Sequence, residues 1–274
     1  MKRALQRITQ GAGLGLRWVR CGARLYARNP WLLGGMGVCA AALVVAAGAI
    51  PLLGGPLLGL LAPALAASFF IAVDGVAQQR LRLPAALRAA ALKQAPKELL
   101  NVARDERRLL QVVLLGLYAL IGVVLADVLV WSVAGSAWSN RALGVPGQLL
   151  PMLLGALILL AAYLVLAASL VFALPLALLQ REPLIPSIAA SFTRSMRHPV
   201  ALLVIAALGA APSLLQALVA VRTPVLAPVL GFTAGAALMP VVACSLYCSY
   251  RTLFPATESA HGASAPANPV PRAG

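Results

Sequence analysis

Six stretches of this chain are apolar enough and long enough to cross a lipid bilayer as helices: residues 31–50, 56–73, 109–133, 149–179, 200–221 and 225–250. A helix rises about 1.5 Å per residue, so about 20 residues cover the roughly 30 Å hydrocarbon layer. Inside that layer no water satisfies backbone N–H and C=O groups, so these stretches must bond within themselves as helices. Composition points the same way. Of 274 residues, 61% are hydrophobic and 11% charged, where a soluble domain is about half apolar and about a quarter charged. Mean hydropathy is +0.91, more apolar surface than a water-soluble fold can hide. The expected fold is therefore all-α and polytopic, a single membrane domain over residues 1–250 with six transmembrane helices. Residues 251–274 follow as a tail, rich in Ala, Pro, Ser and Gly from Thr257 onward and expected to be disordered and cytoplasmic.

Charge orients the spans. Seven basic residues lie in 1–30, eight in 74–108, three in 180–199 and two beyond 250, so 20 of the 22 Lys and Arg fall on one side; only Arg141 and Arg222 fall on the other. Basic loops stay in the cytoplasm, which predicts an inner-membrane protein with N-in and C-in topology. Trp31, Tyr247 and Tyr250 are expected in the inner aromatic belt, and Trp131 and Trp138 in the outer one. The net charge of +15 accompanies no nucleic-acid motif and flanks apolar runs, so the partner it implies is anionic lipid and not nucleic acid. The excess of Arg over Lys and the abundant Ala match a GC-rich bacterial genome.

Residues 14–28 form an amphipathic pattern. Leu14, Trp18, Cys21 and Leu25 recur on one face of a helix, and Arg17, Arg20, Arg24 and Arg28 on another. A helix of this kind lies in the interface, apolar side in the acyl boundary and arginines at phosphates. Arg17, Trp18, Arg20, Arg24 and Arg28 are accordingly the candidate lipid-interface residues. The plainer reading is a topological anchor before the first span. The basic region is too long for an ordinary signal peptide. Gly11, Gly13 and Gly15 interrupt the continuity a mitochondrial presequence would need.

The spans pair into three hairpins. Only residues 51–55 separate the first two spans, and only residues 222–224 the last two. Pro51 and Pro63 are spaced as Pro228 and Pro240 are, with Leu53-Gly54 matching Leu230-Gly231; Arg28-Asn29-Pro30 and Arg197-His198-Pro199 open the first and fifth spans. Each hairpin is expected to follow a cytoplasmic interfacial helix, the third being 187–197 with Ile188, Phe192 and Met196 on its apolar side. The fourth stretch exceeds one span, so it should emerge or bend after Pro175. Gly55-x-x-x-Gly59 and Gly231-x-x-x-Gly235 predict close helix packing.

Little here suits catalysis. The chain has two histidines and seven acids, four of those acids in one basic loop, and no catalytic or nucleotide-binding motif. No enzyme activity, no cofactor and no metal site are expected. Cys39, Cys244 and Cys248 sit in apolar spans and Cys21 in a cytosolic segment where disulfides are disfavoured, so no disulfide is expected. Cys244 and Cys248 share a helix face, but two thiols with no third ligand make a poor metal site. Asp127 is the one ionisable residue well inside a span, six residues from its outer end. An intramembrane carboxylate is a functional candidate by default. Tyr118, Ser169, Gln216 and Ser245 are expected to hydrogen-bond between helices.

Two blocks carry a family resemblance. Trp18, Arg28-Asn29-Pro30-Trp31, Ile50-Pro51-Leu52-Leu53-Gly54 and Pro63 form one; Ala190-Ser191-Phe192 with Arg197-His198-Pro199 forms the other. They resemble uncharacterised multi-pass inner-membrane proteins of proteobacteria, distantly similar to the membrane domain attached to some glycerophosphoryl diester phosphodiesterases. The resemblance implies an all-helical membrane fold and no assigned activity, and no phosphodiesterase motif is present here. The leading expectation is a non-enzymatic inner-membrane protein whose basic amphipathic helices engage anionic lipid. A homo-oligomer or a membrane-protein partner stays open. The alternative is a small transporter or channel using Asp127 as an intramembrane polar site.

Overall fold

The computed structural model describes residues 2–50, 54–78, 97, 106–142, 149–180, 182–223 and 225–255. The second interfacial segment (most of 74–108) and the tail beyond Pro255 lie outside the described residues. The described part is helical throughout, without a strand. Its principal elements are α1 (Lys2–Tyr26), α2 (Pro30–Gly48), α3 (Gly54–Ala77), α4 (Glu106–Ala142), α5 (Leu149–Leu170), α6 (Ala173–Leu179), α7 (Leu184–Arg197), α8 (Pro199–Ala220) and α9 (Ala227–Leu253).

Among the described residues, five stretches are long and apolar enough to cross a membrane: Pro30–Ala47, Leu109–Ala126, Leu153–Leu179, Pro199–Ala220 and Ala227–Leu253. Leu61–Ala77 within α3 is apolar but shorter. Local chemistry sets the boundaries. Asn29 opens α2, its side-chain oxygen accepting from the Leu32 N–H at 3.2 Å, with Pro30 on the first turn; proline is pre-organised there and gives up a donor that has no helical partner. Pro199 opens α8 in the same way. Pro63, Pro212 and Pro240, by contrast, sit inside α3, α8 and α9 without ending them.

The fourth stretch does bend, but earlier than expected, between α5 and α6 at Val171–Phe172. The reason lies four residues on. Pro175 has no N–H for the Val171 carbonyl, and its ring crowds that carbonyl, so the strain falls on the preceding turn. Regular bonding resumes with the Leu176 N–H on the Phe172 carbonyl at 3.1 Å.

Two buried clusters hold the bundle. The larger joins α2 (Leu32, Leu33, Met36), α3 (Phe69, Phe70, Val73), the start of α4 (Val112, Leu115), α6 and the end of α9. The second gathers Trp18, Phe172, Leu176, Ala201, Ile205, Tyr250 and Phe254. Between them the clusters draw on the first turns of α2, α4 and α8 and the last turns of α3 and α9. The opposite ends are uncovered: Leu125 (63%), Trp131 (64%), Leu150 (75%) and Leu218 (72%) stand exposed. The buried clusters thus lie at one end of the bundle, and large apolar side chains stand exposed at the other. Lipid solvates apolar side chains as well as a core does, so helices in a membrane need not bury them.

Candidate functional site

The packed end carries the interfacial residues named from the sequence. α1 does not lie free of the bundle. It runs without interruption through Gly11, Gly13 and Gly15, which corrects their reading as breaks. A Cβ at Gly11 would come within 2.9 Å of Val200, at Gly15 within 2.9 Å of the Val204 side chain, and at Gly22 within 2.6 Å of the Ser245 backbone nitrogen. These glycines let α1 approach α8 and α9 at backbone distance. Gly11, Gly15, Trp18, Gly22 and Leu25 recur at alternating spacings of four and three, one continuous seam down the helix.

Trp18 is the largest residue of that seam. It is 3% exposed and packs in the second cluster, its ring edge-on to His198 with centroids 6.5 Å apart. Trp18 is therefore covered by protein and not set in the acyl boundary, while Ile8 and Leu16 of the same helix stand exposed. The indole Nε1 has no acceptor among the described residues. Arg17, Arg20, Arg24 and Arg28 are all exposed, because the seam turns them outward.

Cys21 is bonded to Cys248 of α9, with Cα atoms 6.2 Å apart and 227 residues between them in sequence. The expectation of no disulfide fails because α1 and α9 lie side by side, which spacing along the chain did not reveal. It also removes the Cys244–Cys248 pairing; Cys39 and Cys244 stay free. No group of three or more His, Cys, Asp or Glu converges among the described residues.

A serine stripe clasps the α5–α6 bend. Ser187, Ser191 and Ser195 of α7 have no exposed surface. The Phe172 N–H, diverted from the helical ladder, donates to Ser191 Oγ at 3.0 Å, and Ser191 Oγ donates to the Ala168 carbonyl at 2.9 Å. Ser195 Oγ donates to the same carbonyl at 3.0 Å. One hydroxyl is thus inserted into the bond the bend has opened, which satisfies both backbone groups where water is scarce. With its serines facing inward, α7 leaves Ile185 (80%), Phe192 (38%) and Met196 (46%) exposed. Arg194 of the same helix donates to the Leu253 carbonyl and lies over the Phe254 ring, 4.9 Å from its centroid. A cation there complements the negative end of α9.

Tyr247 and Tyr250 are not belt residues. They are 5% and 2% exposed, because each phenol finds a partner inside. Tyr247 donates to Asp74 Oδ1 at 2.6 Å, and Gln78 Nε2 donates to Asp74 Oδ2 at 2.7 Å; Tyr250 pairs with the Gln180 side chain. Asp74 was grouped with the basic loop that follows it. The signal that separates it is its position one helical turn before Gln78 and directly after the apolar run Phe69–Val73. Both its oxygens accept donors from the protein, an arrangement that fixes α3 to α9. Tyr118 donates to Ser169 at 3.3 Å, joining α4 to α5. Asp127 falls within α4, and its side chain is outside the described residues.

Among the described residues, three open cavities adjoin α9, and Val242 lines each of these three. The one between α5, α8 and α9 measures about 320 Å³ and is apolar apart from Ser195. The one between α2, α8 and α9, about 430 Å³, includes Ser213 and Gln216. A third of about 320 Å³ lies among α2, α3 and α9 and is wholly apolar. Linings of this kind accept hydrocarbon better than ions or polar solutes. No protein-family model, no curated protein and no solved structure matches the chain.

Proposed function

We propose that this chain is a multi-pass integral protein of a bacterial inner (cytoplasmic) membrane that catalyses no reaction and engages the anionic leaflet through basic helices on the cytoplasmic side. In this reading α2 and α3, α4 with α5–α6, and α8 and α9 are the three hairpins of a six-span, N-in and C-in protein, and α1 and α7 are interfacial. α3 supplies the sixth span from its full 24 residues, Gly54–Ala77.

One observation carries the proposal. The inward seam of α1 is closed by glycines and Trp18, the exposed side presents Arg17, Arg20 and Arg24 in a row, and Arg28 stands exposed in the turn that follows. A helix whose apolar side is satisfied by protein has its cations left for phosphates. Each basic group near an anionic leaflet contributes about 1 kcal/mol. The test is spin-labelled lipid partitioning around the full chain reconstituted in phosphatidylcholine. Wild type should enrich labelled phosphatidylglycerol over labelled phosphatidylcholine, and Arg17→Gln with Arg20→Gln and Arg24→Gln should abolish most of that enrichment. Equal enrichment in the triple variant would sink the proposal.

A further inference from the structure

The apolar cavity between α5, α8 and α9 has a shape and position that the basic helix α1 does not account for. It is a slot, floored by Val171, Ile205 and Leu246 and open where Leu164 and Leu203 stand about half exposed. Small residues create it: Ala167 and Ala168 on α5, Ala206 and Gly209 on α8. A Cβ at Gly209 would touch only Val242, at 3.9 Å, so the space beside it is empty of protein. Ser195, the one hydroxyl on the wall, is committed to the Ala168 carbonyl. An apolar solute has nothing to displace.

The slot ends at the corner where α7 meets α8, formed by Met196 and Pro199. There its lining becomes continuous with the outward apolar side of α7, Ile185, Phe192 and Met196, spaced seven and four residues apart on one face. A helix showing apolar side chains outward beside cations lies at the boundary between acyl chains and headgroups. Arg194 is already engaged with the end of α9. Arg197, one residue beyond Met196, is exposed and has no hydrogen bond or ion pair among the described residues.

We propose that this slot holds one acyl chain of an anionic phospholipid drawn from the surrounding bilayer, with its phosphate at Arg197. The inference deepens the lipid reading and rests on it. A helix from a second copy is about 10–12 Å across, too wide for a cavity of about 320 Å³, whereas an extended chain fits. Transfer from bilayer to slot gains little apolar energy, since lipid is as apolar as the wall. Selection must come from the headgroup, where an unpaired guanidinium meets a phosphate with charge-assisted hydrogen bonds.

The test is native mass spectrometry of the full chain released from nanodiscs of equal phosphatidylglycerol and phosphatidylcholine. Wild type should retain one phosphatidylglycerol through detergent washing. Ala206→Trp and, independently, Ala167→Trp fill the slot from opposite walls and should each lower retention by about tenfold. Both positions are exposed, so helicity and monodispersity should not change. Arg197→Gln should keep a bound lipid but lose the preference for phosphatidylglycerol. Retention at wild-type level in both tryptophan variants overturns the slot, as does a wild type that retains no lipid. A dimer in wild type that dissociates in Ala206→Trp also overturns it, because a second copy then fills the groove. The α1 arginine variant separates the two readings. Slot variants without effect, beside an arginine variant that loses phosphatidylglycerol enrichment, remove the slot alone. The reverse pattern removes the α1 reading alone.

Discussion

Ser191 accepts from one backbone group and donates to another across a single bend, so its loss orphans the Phe172 N–H outright. The Ala168 carbonyl keeps Ser195. Ser191→Ala should therefore cost about 1–3 kcal/mol, the penalty of a buried unsatisfied donor, and Ser195→Ala clearly less. Thermal unfolding of the purified variants in one detergent checks the order; equal losses would contradict it. This residue-scale arrangement was poorly legible in the sequence. Proline at 175 announced a bend, but its site four residues upstream depends on which neighbour supplies a hydroxyl. A serine every fourth residue on a helix with Phe192 and Met196 reads as the polar side of an amphipathic helix. In lipid that polarity is reversed: the serines are the interior, and the large apolar side chains face out.

At the scale of the element, α1 combines a legible half with an illegible one. The arginine row was plain from its spacing, since cations at helical intervals can only share a face. The glycines were misread, because a glycine in a helix is a weakness by propensity and becomes an asset only against a neighbour. That difference yields a contrast between two substitutions. Gly13 has nothing within 4 Å of a Cβ, so Gly13→Ala should be neutral or stabilise by about 0.5–1 kcal/mol through helix propensity. Gly22→Leu must push α1 off the Ser245 backbone and should destabilise by about 1–3 kcal/mol, the usual cost of overpacking. Unfolding midpoints of the two variants should move in opposite directions, or only that of Gly22→Leu should fall. A larger loss at Gly13 would mean that α1 docks by another face.

For the whole molecule, apolar stretches and their flanking charges made the apolar helices legible, although α1 begins at Lys2, α4 runs on to Ala142 and the fourth run is divided at Val171–Phe172. Which helices distant along the chain would meet was not legible, since apolar runs of Ala and Leu look alike from every side. Pairing of the first and last helices shows that clearly: it is what brings Cys21 to Cys248. The expected consequence is a form that migrates faster on non-reducing than on reducing electrophoresis after mild oxidation in membranes. Cys21→Ser and Cys248→Ser should each abolish it. The double change Cys39→Ser with Cys244→Ser should leave it intact, as both thiols are free. A fast form that survives Cys21→Ser would place α1 elsewhere.

The α1 seam also sets an order of events. α1 leaves the ribosome well before α8 and α9, yet the surfaces that cover Gly11, Gly15 and Gly22 belong to those two helices. Until α8 and α9 insert, the nascent chain carries a basic helix with its glycine seam uncovered, tethered to the membrane through α2. Contacts so distant along the chain close late, so the side of α1 that packs against α8 and α9 in the finished protein must wait, uncovered, for its neighbours to be made.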